Sequence, residues 1–269
     1  AERQPLEINS EAPAAGRKAV LYATCFVNYN NTPVGLVARR VLAHNGVDIR
    51  VEHPGCCGMP QFEHGDLEAV AAKARRVAAA LAPALDEGRD IVALTPSCAL
   101  MIKFEWPMLL PDNTEIARLS QATFDICQYL VDIAANEGLA SGLGPLDGGI
   151  AVHLACHARA QNMGPKAAEM LRLLPDTEIS VIERCSGHGG SWGMMKENFE
   201  VALKVGRPVA RQAAEAGRRW LASECPLAGA HVMQGIERLE AGEADGPDRA
   251  YHPIELMARA WGLDGKAQP

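Results

Sequence analysis

Residues 18–52 read KAVLYATCFVNYNNTPVGLVARRVLAHNGVDIRVE, and this stretch decides the fold. KAVLYAT is a short apolar run with the length of a buried strand. PVGLVARRVLAHNG is amphipathic, begins with Pro33 and ends on Asn45-Gly46, the usual start and stop signals of a helix. VDIRVE is a second strand. A strand, a helix and a strand of these lengths form a βαβ unit, whose two strands lie parallel.

The pattern continues outward. DLEAVAAKARRVAAALAPALDEG is a helix with a proline interruption, DIVALT a third strand, and ATFDICQYLVDIAANEG a helix closed by Gly138. Then the text restarts. GIAVHLA, EISVIE and RWLASE read as strands, with helices GPKAAEMLRLL and KENFEVALKVGRPVARQAAEAG between them. Laying one half on the other places Cys25 over Cys156, CCGMP over CSGHG, and PSCALM over ECPLAG. The expected architecture is α/β, with two duplicated βαβ-type domains of mostly parallel sheets related by pseudo-two-fold symmetry. The polar opening, residues 1–17, reads as a leader or linker. The first domain spans 18–140 and the second 148–269, with the glycine-rich LASGLGPLDGG, residues 139–149, at the boundary.

Length and composition agree with two domains. The chain has 269 residues, 48% of them hydrophobic and 22% charged. A net charge of −7 argues against a nucleic-acid partner, which needs a basic face. Charges or prolines interrupt every apolar run before the ~18 residues of a membrane span, so no transmembrane segment is expected. No signal peptide is visible either, and the chain reads as cytoplasmic. It starts at Ala1 without Met, as a processed start or a piece of a longer protein would. Eight cysteines in a chain of this size point to metal binding or redox chemistry rather than to a secreted disulfide framework.

Seven of those cysteines fall just after expected strands, at the carboxyl ends where parallel sheets build sites. Cys25, Cys56, Cys57 and Cys98 come from three strand ends of the first half, so their sulfurs can converge. Four thiolates suit zinc or an iron–sulfur cluster. Neighbouring side chains diverge, so Cys56 and Cys57 reach one tetrahedral zinc only with backbone distortion, whereas a cluster offers them different irons. Gly55 and Gly58 let the backbone pass close to such a group. Cys127, within FDICQYL, lies on an apolar helix face without a counterpart in the repeat and is expected in the core. In the second half Cys156, Cys185 and Cys225 align with their partners, while Ser186 replaces the second thiol of the pair. His153, His157 and His188 crowd the same strand ends. The second site is therefore a candidate for a cluster or for zinc, with Cys156, Cys185, Cys225, His157 and His188 as ligands. GHGGSWG, residues 187–193, could hold an anion through its amides, but VGLVARR lacks the G-x-G-x-x-G of a dinucleotide site.

Taken together, CFVNYNNTPVG, CCGMP, SCALMIKFEWP, HLACH, GGSWGMMKENFEVALKVG and HPIELMARA resemble the cysteine-rich CCG domain pair of iron–sulfur oxidoreductases. That family includes the B subunit of heterodisulfide reductase and the C subunit of anaerobic glycerol-3-phosphate dehydrogenase, and the likeness to the latter covers nearly the whole chain. The resemblance implies a [4Fe–4S] cluster on Cys25, Cys56, Cys57 and Cys98 in a subunit that relays electrons. Its partners would be a flavin dehydrogenase subunit as donor, a ferredoxin-like domain or subunit, and a quinone or another acceptor. Some relatives attach peripherally to the membrane, here its inner face. Relatives also carry an N-terminal ferredoxin segment missing here, which reads as a fragment or a split subunit. Met101 and Ala228 stand where each half's last family cysteine would be, and with Ser186 they argue against the five-thiolate clusters of heterodisulfide reductases. The competing readings are a zinc-binding scaffold or assembly module, and a thiol-disulfide reductase of heterodisulfide type that uses Cys56 and Cys57 directly.

Overall fold

The computed structural model describes residues 6–239 and 246–264, and in it eight strands form two four-stranded sheets. The first sheet contains β1 (Lys18–Tyr22), β2 (Asp48–Glu52), β3 (Asp90–Ala93) and β4 (Thr123–Asp125), in the order β2-β1-β3-β4. The second contains β5 (Ile150–His153), β6 (Ile179–Ile182), β7 (Trp220–Ser223) and β8 (Ala250–Tyr251), in the order β6-β5-β7-β8. Every pairing is parallel. Both halves thus repeat one strand order, as the duplicated text requires.

The sequence of each strand follows from its place. β1, β5 and β7 are covered on both faces by helices, and their residues are buried almost without break. The edge strands β2 and β6 are only partly covered, and DIRVE carries charges that a central strand would not tolerate. Val20, Leu21, Ile91 and Val92 are fully buried, each stabilising the fold by roughly 1.5–3 kcal/mol relative to exposure. That core fixes the strand ends from which the cysteine loops leave.

Two local readings of the sequence need correction, and one edge strand went unread. ATFDICQYL is not helical from its start: Thr123–Asp125 is the edge strand β4, and the Asp125 carboxylate then caps the helix Ile126–Asn136 by accepting from the Cys127 amide at 2.9 Å. The matching edge strand β8 is two residues long and carries no periodicity to read. The helix Leu67–Asp86 runs straight through Pro83, because Pro83 and Ala79 are both exposed and the carbonyl that loses its partner faces water. Helix Phe199–Glu215 passes Pro208 in the same way. Cys127 is fully buried, as expected of a core residue.

The described residues divide into two compact units, one running to Gly142 and including Trp261 onward, the other Leu143–Ala260. Residues 9–17 lie against the first unit: the Asn9 amide donates to the Ala43 carbonyl, Ala12 and Ala14 are buried, and Arg17 pairs with Asp132 at 2.7 Å. Among the described residues no helix is long and apolar enough to cross a membrane.

Candidate metal centre

The first site is built at the carboxyl ends of β1, β2 and β3. Cys25 opens the short helix Cys25–Tyr29 that follows β1. Thr24, held at φ 41°, turns the chain into that helix, caps the Val27 amide at 3.2 Å and shares a hydroxyl contact with Thr95 at 3.2 Å. Cys56 and Cys57 lie in the loop between β2 and the helix Met59–Glu63, and Cys98 in the helix Pro96–Leu100 after β3. The chain leaves β1 toward β2 on one side and pairs with β3 on the other, so these ends flank the switch point where parallel sheets leave a crevice.

The four thiols meet. Cys25 interacts with Cys56, Cys56 with Cys57, and Cys57 with Cys98. These interactions hold Cys56 well below the usual thiol range and push Cys25 and Cys57 above it, with burial adding to both increases. Cys57 and Cys98 are buried, while Cys25 and Cys56 are half-exposed. Among the described residues no group of three or more His, Cys, Asp or Glu side chains is arranged for a single metal ion.

Side chains that sequence reading passed over hold this arrangement. Tyr22, the last residue of β1, is fully buried and donates its hydroxyl to the Gly55 carbonyl at 2.5 Å. Burial and the charge of all four neighbouring thiols push its phenol upward, so it stays a neutral donor. Trp106 donates its indole N–H to the Cys57 carbonyl at 3.0 Å from a fully buried position. Gly58, at φ +89°, turns the loop so that its amide donates to the Cys56 sulfur at 3.4 Å. The signal for Tyr22 was present in the text: an aromatic closing an aliphatic strand three residues before a cysteine.

The second site repeats the frame with different donors. The Gly187 amide donates to the Cys185 sulfur at 3.4 Å, matching Gly58 and Cys56. His153 closes β5 where Tyr22 closes β1, and its Nε2 meets the Arg184 carbonyl at 3.1 Å while Nδ1 meets Ser223 Oγ at 3.1 Å. Both ring nitrogens are engaged, and burial pulls its pKa down, so His153 supports the loop as a neutral ring. Cys156 interacts with Cys185, and Cys225 lies within electrostatic reach of Cys156. Burial raises the Cys156 and Cys225 thiols. His188 is buried within its loop beside His231, with ring centroids 6.3 Å apart, and neither Nε2 atom has a hydrogen-bond partner among the described residues. Burial, then His231 and His157, lower the His188 pKa. The glycine-rich 187–193 loop closes on itself, its Trp192 and Gly193 amides donating to Gly189 and His188 carbonyls.

A repeated frame of loops on a doubled 2-1-3-4 sheet, each carrying cysteines at the switch point, has a counterpart among known sequences. A family model described as a cysteine-rich domain, CCG, matches residues 19–103 and again residues 150–232. The chain belongs to the CCG family. It is 27% identical over 245 residues to the C subunit of the anaerobic glycerol-3-phosphate dehydrogenase of Escherichia coli strain K12, covering 88% of this chain and 57% of that protein. It is 25% identical over 263 residues to the B subunit of the fumarate reductase (CoM/CoB) of Methanothermobacter marburgensis, covering 96% of this chain and 49% of the relative. The lactate utilization protein A of Bacillus cereus strain G9842 is 28% identical over 188 residues, covering 66% of this chain and 74% of its own length. The chain therefore spans about half the length of the first two relatives. A crystal structure of a hypothetical protein from Helicobacter pylori shares the fold, with a TM-score of 0.57 at 12% identity over 96% of this chain and 52% of the other.

Proposed function

We propose that this chain is an iron–sulfur electron-transfer subunit or domain of an oxidoreductase, with a [4Fe–4S] cluster held by Cys25, Cys56, Cys57 and Cys98. The observation that carries this reading is the meeting of four thiols from three strand ends at the switch point of the first sheet. The donor set fits the group. All four donors are thiols, two are sheltered from water, and backbone amides already point at sulfur, the kind of bond that tunes such clusters. When bound, the cluster would take up and release one electron at a time, with the thiolates as its ligands.

The chain's own residues supply the rest. Tyr22 and Trp106 fix the Cys56-Cys57 loop through the carbonyls of Gly55 and Cys57. Burial of Cys57 and Cys98 keeps water from one side of the site, while the half-exposed Cys25 and Cys56 leave an edge for electron exchange with a partner. The reading extends to a flavin dehydrogenase subunit as donor, a ferredoxin-like domain or subunit, and a quinone or other acceptor, reached from the cytoplasmic face of a membrane. The names of the dehydrogenase and reductase relatives support the redox role. At the second site the proposal is metal binding through Cys156, Cys185 and Cys225, with His157 beside them on the helix Cys156–Arg159 and His188 turned toward His231.

Purification without oxygen tests this directly. The protein should be brown, carry iron and acid-labile sulfide in equal amounts, and bleach on reduction. A colourless chain, or one holding zinc without sulfide, would overturn the cluster in favour of a scaffold.

A further inference from the structure

Behind the paired cysteines, the helix Leu67–Asp86 presents two cations one turn apart. A Cβ placed on Gly58 would lie 3.5 Å from Lys73 Cδ, and one placed on Gly55 would lie 3.4 Å from Arg76 Nη2. The two glycines bracket Cys56 and Cys57, so these side chains lie against both ends of the loop that carries them. Lys73 is half-buried and Arg76 exposed. Lys73 also interacts electrostatically with the Cys25 and Cys56 thiols. Neither cation forms an ion pair with a carboxylate among the described residues, so their charge is not neutralised locally.

Among the described residues of the second domain, no such pair packs against the glycine of the loop. There the loop packs straight onto helix backbone: a Cβ on Gly187 would lie 2.2 Å from the Ala202 carbonyl oxygen and 2.7 Å from the Gly206 amide nitrogen. A glycine contact replaces the lysine contact on that helix, and the cation that acts on a second-site thiol is instead Arg159, on the helix that Cys156 opens and paired with Glu183.

We propose that Lys73, supported by Arg76, is the fixed positive charge that raises the reduction potential of the group held by Cys25, Cys56, Cys57 and Cys98. The proposal rests on the cluster reading above. Reduction adds an electron to a site already ringed by thiolates. A cation on the adjacent helix stabilises that added negative charge more than it stabilises the oxidised state. Lys73 acts from a half-buried position where solvent and salt screen weakly; Arg76 acts through solvent and is screened more.

The test uses the full chain loaded with its cluster, in wild-type, Lys73→Gln, Lys73→Arg and Arg76→Gln forms. Iron and sulfide are counted per chain, and the visible absorbance is followed while dithionite supplies electrons stepwise. At equal cluster content, Lys73→Gln should titrate at a lower potential than wild type, and Lys73→Arg should return to the wild-type value. Arg76→Gln should shift less, and its shift should shrink as salt is added. Equal potentials for Lys73→Gln and wild type at equal iron would overturn the proposal. Should Lys73→Gln fail to retain iron, Arg76→Gln decides: no shift at low salt overturns it, and a salt-sensitive fall supports it. A wild-type chain without iron is a different outcome, because it removes the cluster reading itself.

Discussion

In the first domain Tyr22 reaches from the end of β1 to the Gly55 carbonyl; in the second His153 reaches from the end of β5 to the Arg184 carbonyl. Each accepting carbonyl precedes the first cysteine of a loop, and each loop then turns on a glycine whose amide donates to that cysteine's sulfur. The frame has been copied with different side chains doing one job. What surrounds the thiols has not been copied. Cys57 and Cys98 are 3% and 7% exposed, whereas Cys156 and Cys185 lie open to solvent. The first loop backs onto Lys73 and Val70, and the second onto the bare backbone of Ala202 and Gly206. Duplication therefore preserved the backbone geometry that aims thiols at a switch point, while donor number, water exclusion and local charge diverged.

The largest effect expected from this contrast is on bound iron. Cys57→Ser should remove the first-site chromophore and its sulfide, while Cys185→Ser should leave them in place; equal losses from both variants would break the division of roles. Next, Ser186→Cys should raise the metal content per chain, because it gives the second loop the vicinal pair of the first at a buried, nearly isosteric position. Unchanged metal analysis would show that donor number is not what separates the sites.

Backbone substitutions sharpen the comparison in stability. Gly187→Ala puts a methyl 2.2 Å from the Ala202 carbonyl and should destabilise the second domain by ~3 kcal/mol or more in urea unfolding. Gly58→Ala meets only ordinary contacts at 3.5 Å and should cost the first domain about 1 kcal/mol, from its positive φ alone. Tyr22→Phe leaves the Gly55 carbonyl without its donor and should lower the stability of the metal-free protein by roughly 1–2 kcal/mol.

The smallest effect concerns pH. The folded His153 pKa lies below its unfolded value near 6.5, so the unfolded chain takes up a proton that the folded chain refuses. The His153 contribution is full above about pH 6.5 and falls as the solution is acidified through the folded pKa. Urea midpoints of the metal-free protein at about pH 7.5 and 5.5 should differ less in His153→Gln than in wild type, and Tyr22→Phe should leave that difference unchanged.

Much of the fold was legible because buried parallel strands are written as short apolar runs. KAVLYAT, DIVALT, GIAVHLA and RWLASE all lie in central strands. The edge strands β4 and β8 were not legible, since three and two residues paired on one side leave no period to detect. Pro83 misled in the other direction: a proline ends a helix only when the orphaned carbonyl has nowhere to go, and here the position four residues earlier is exposed, whereas the helix through Pro208 was read as continuous.

At the site, the residue types and their spacing nominated Cys25, Cys56, Cys57 and Cys98 without any coordinates, because strand ends in a parallel sheet have only one place to meet. The sequence by itself therefore determined the duplication, the parallel sheets and the candidate thiols. Only the tertiary structure decided which side chains serve them. In one dimension His153 is only one of three histidines crowding the strand ends; in three, both of its nitrogens are bonded and it supports the loop. Tyr22, Trp106 and Lys73 are separated from the loop by 33, 49 and 15 residues or more along the chain, and nothing local connects them to it. Hydrogen bonds and charge act through space, over distances that chain order does not encode.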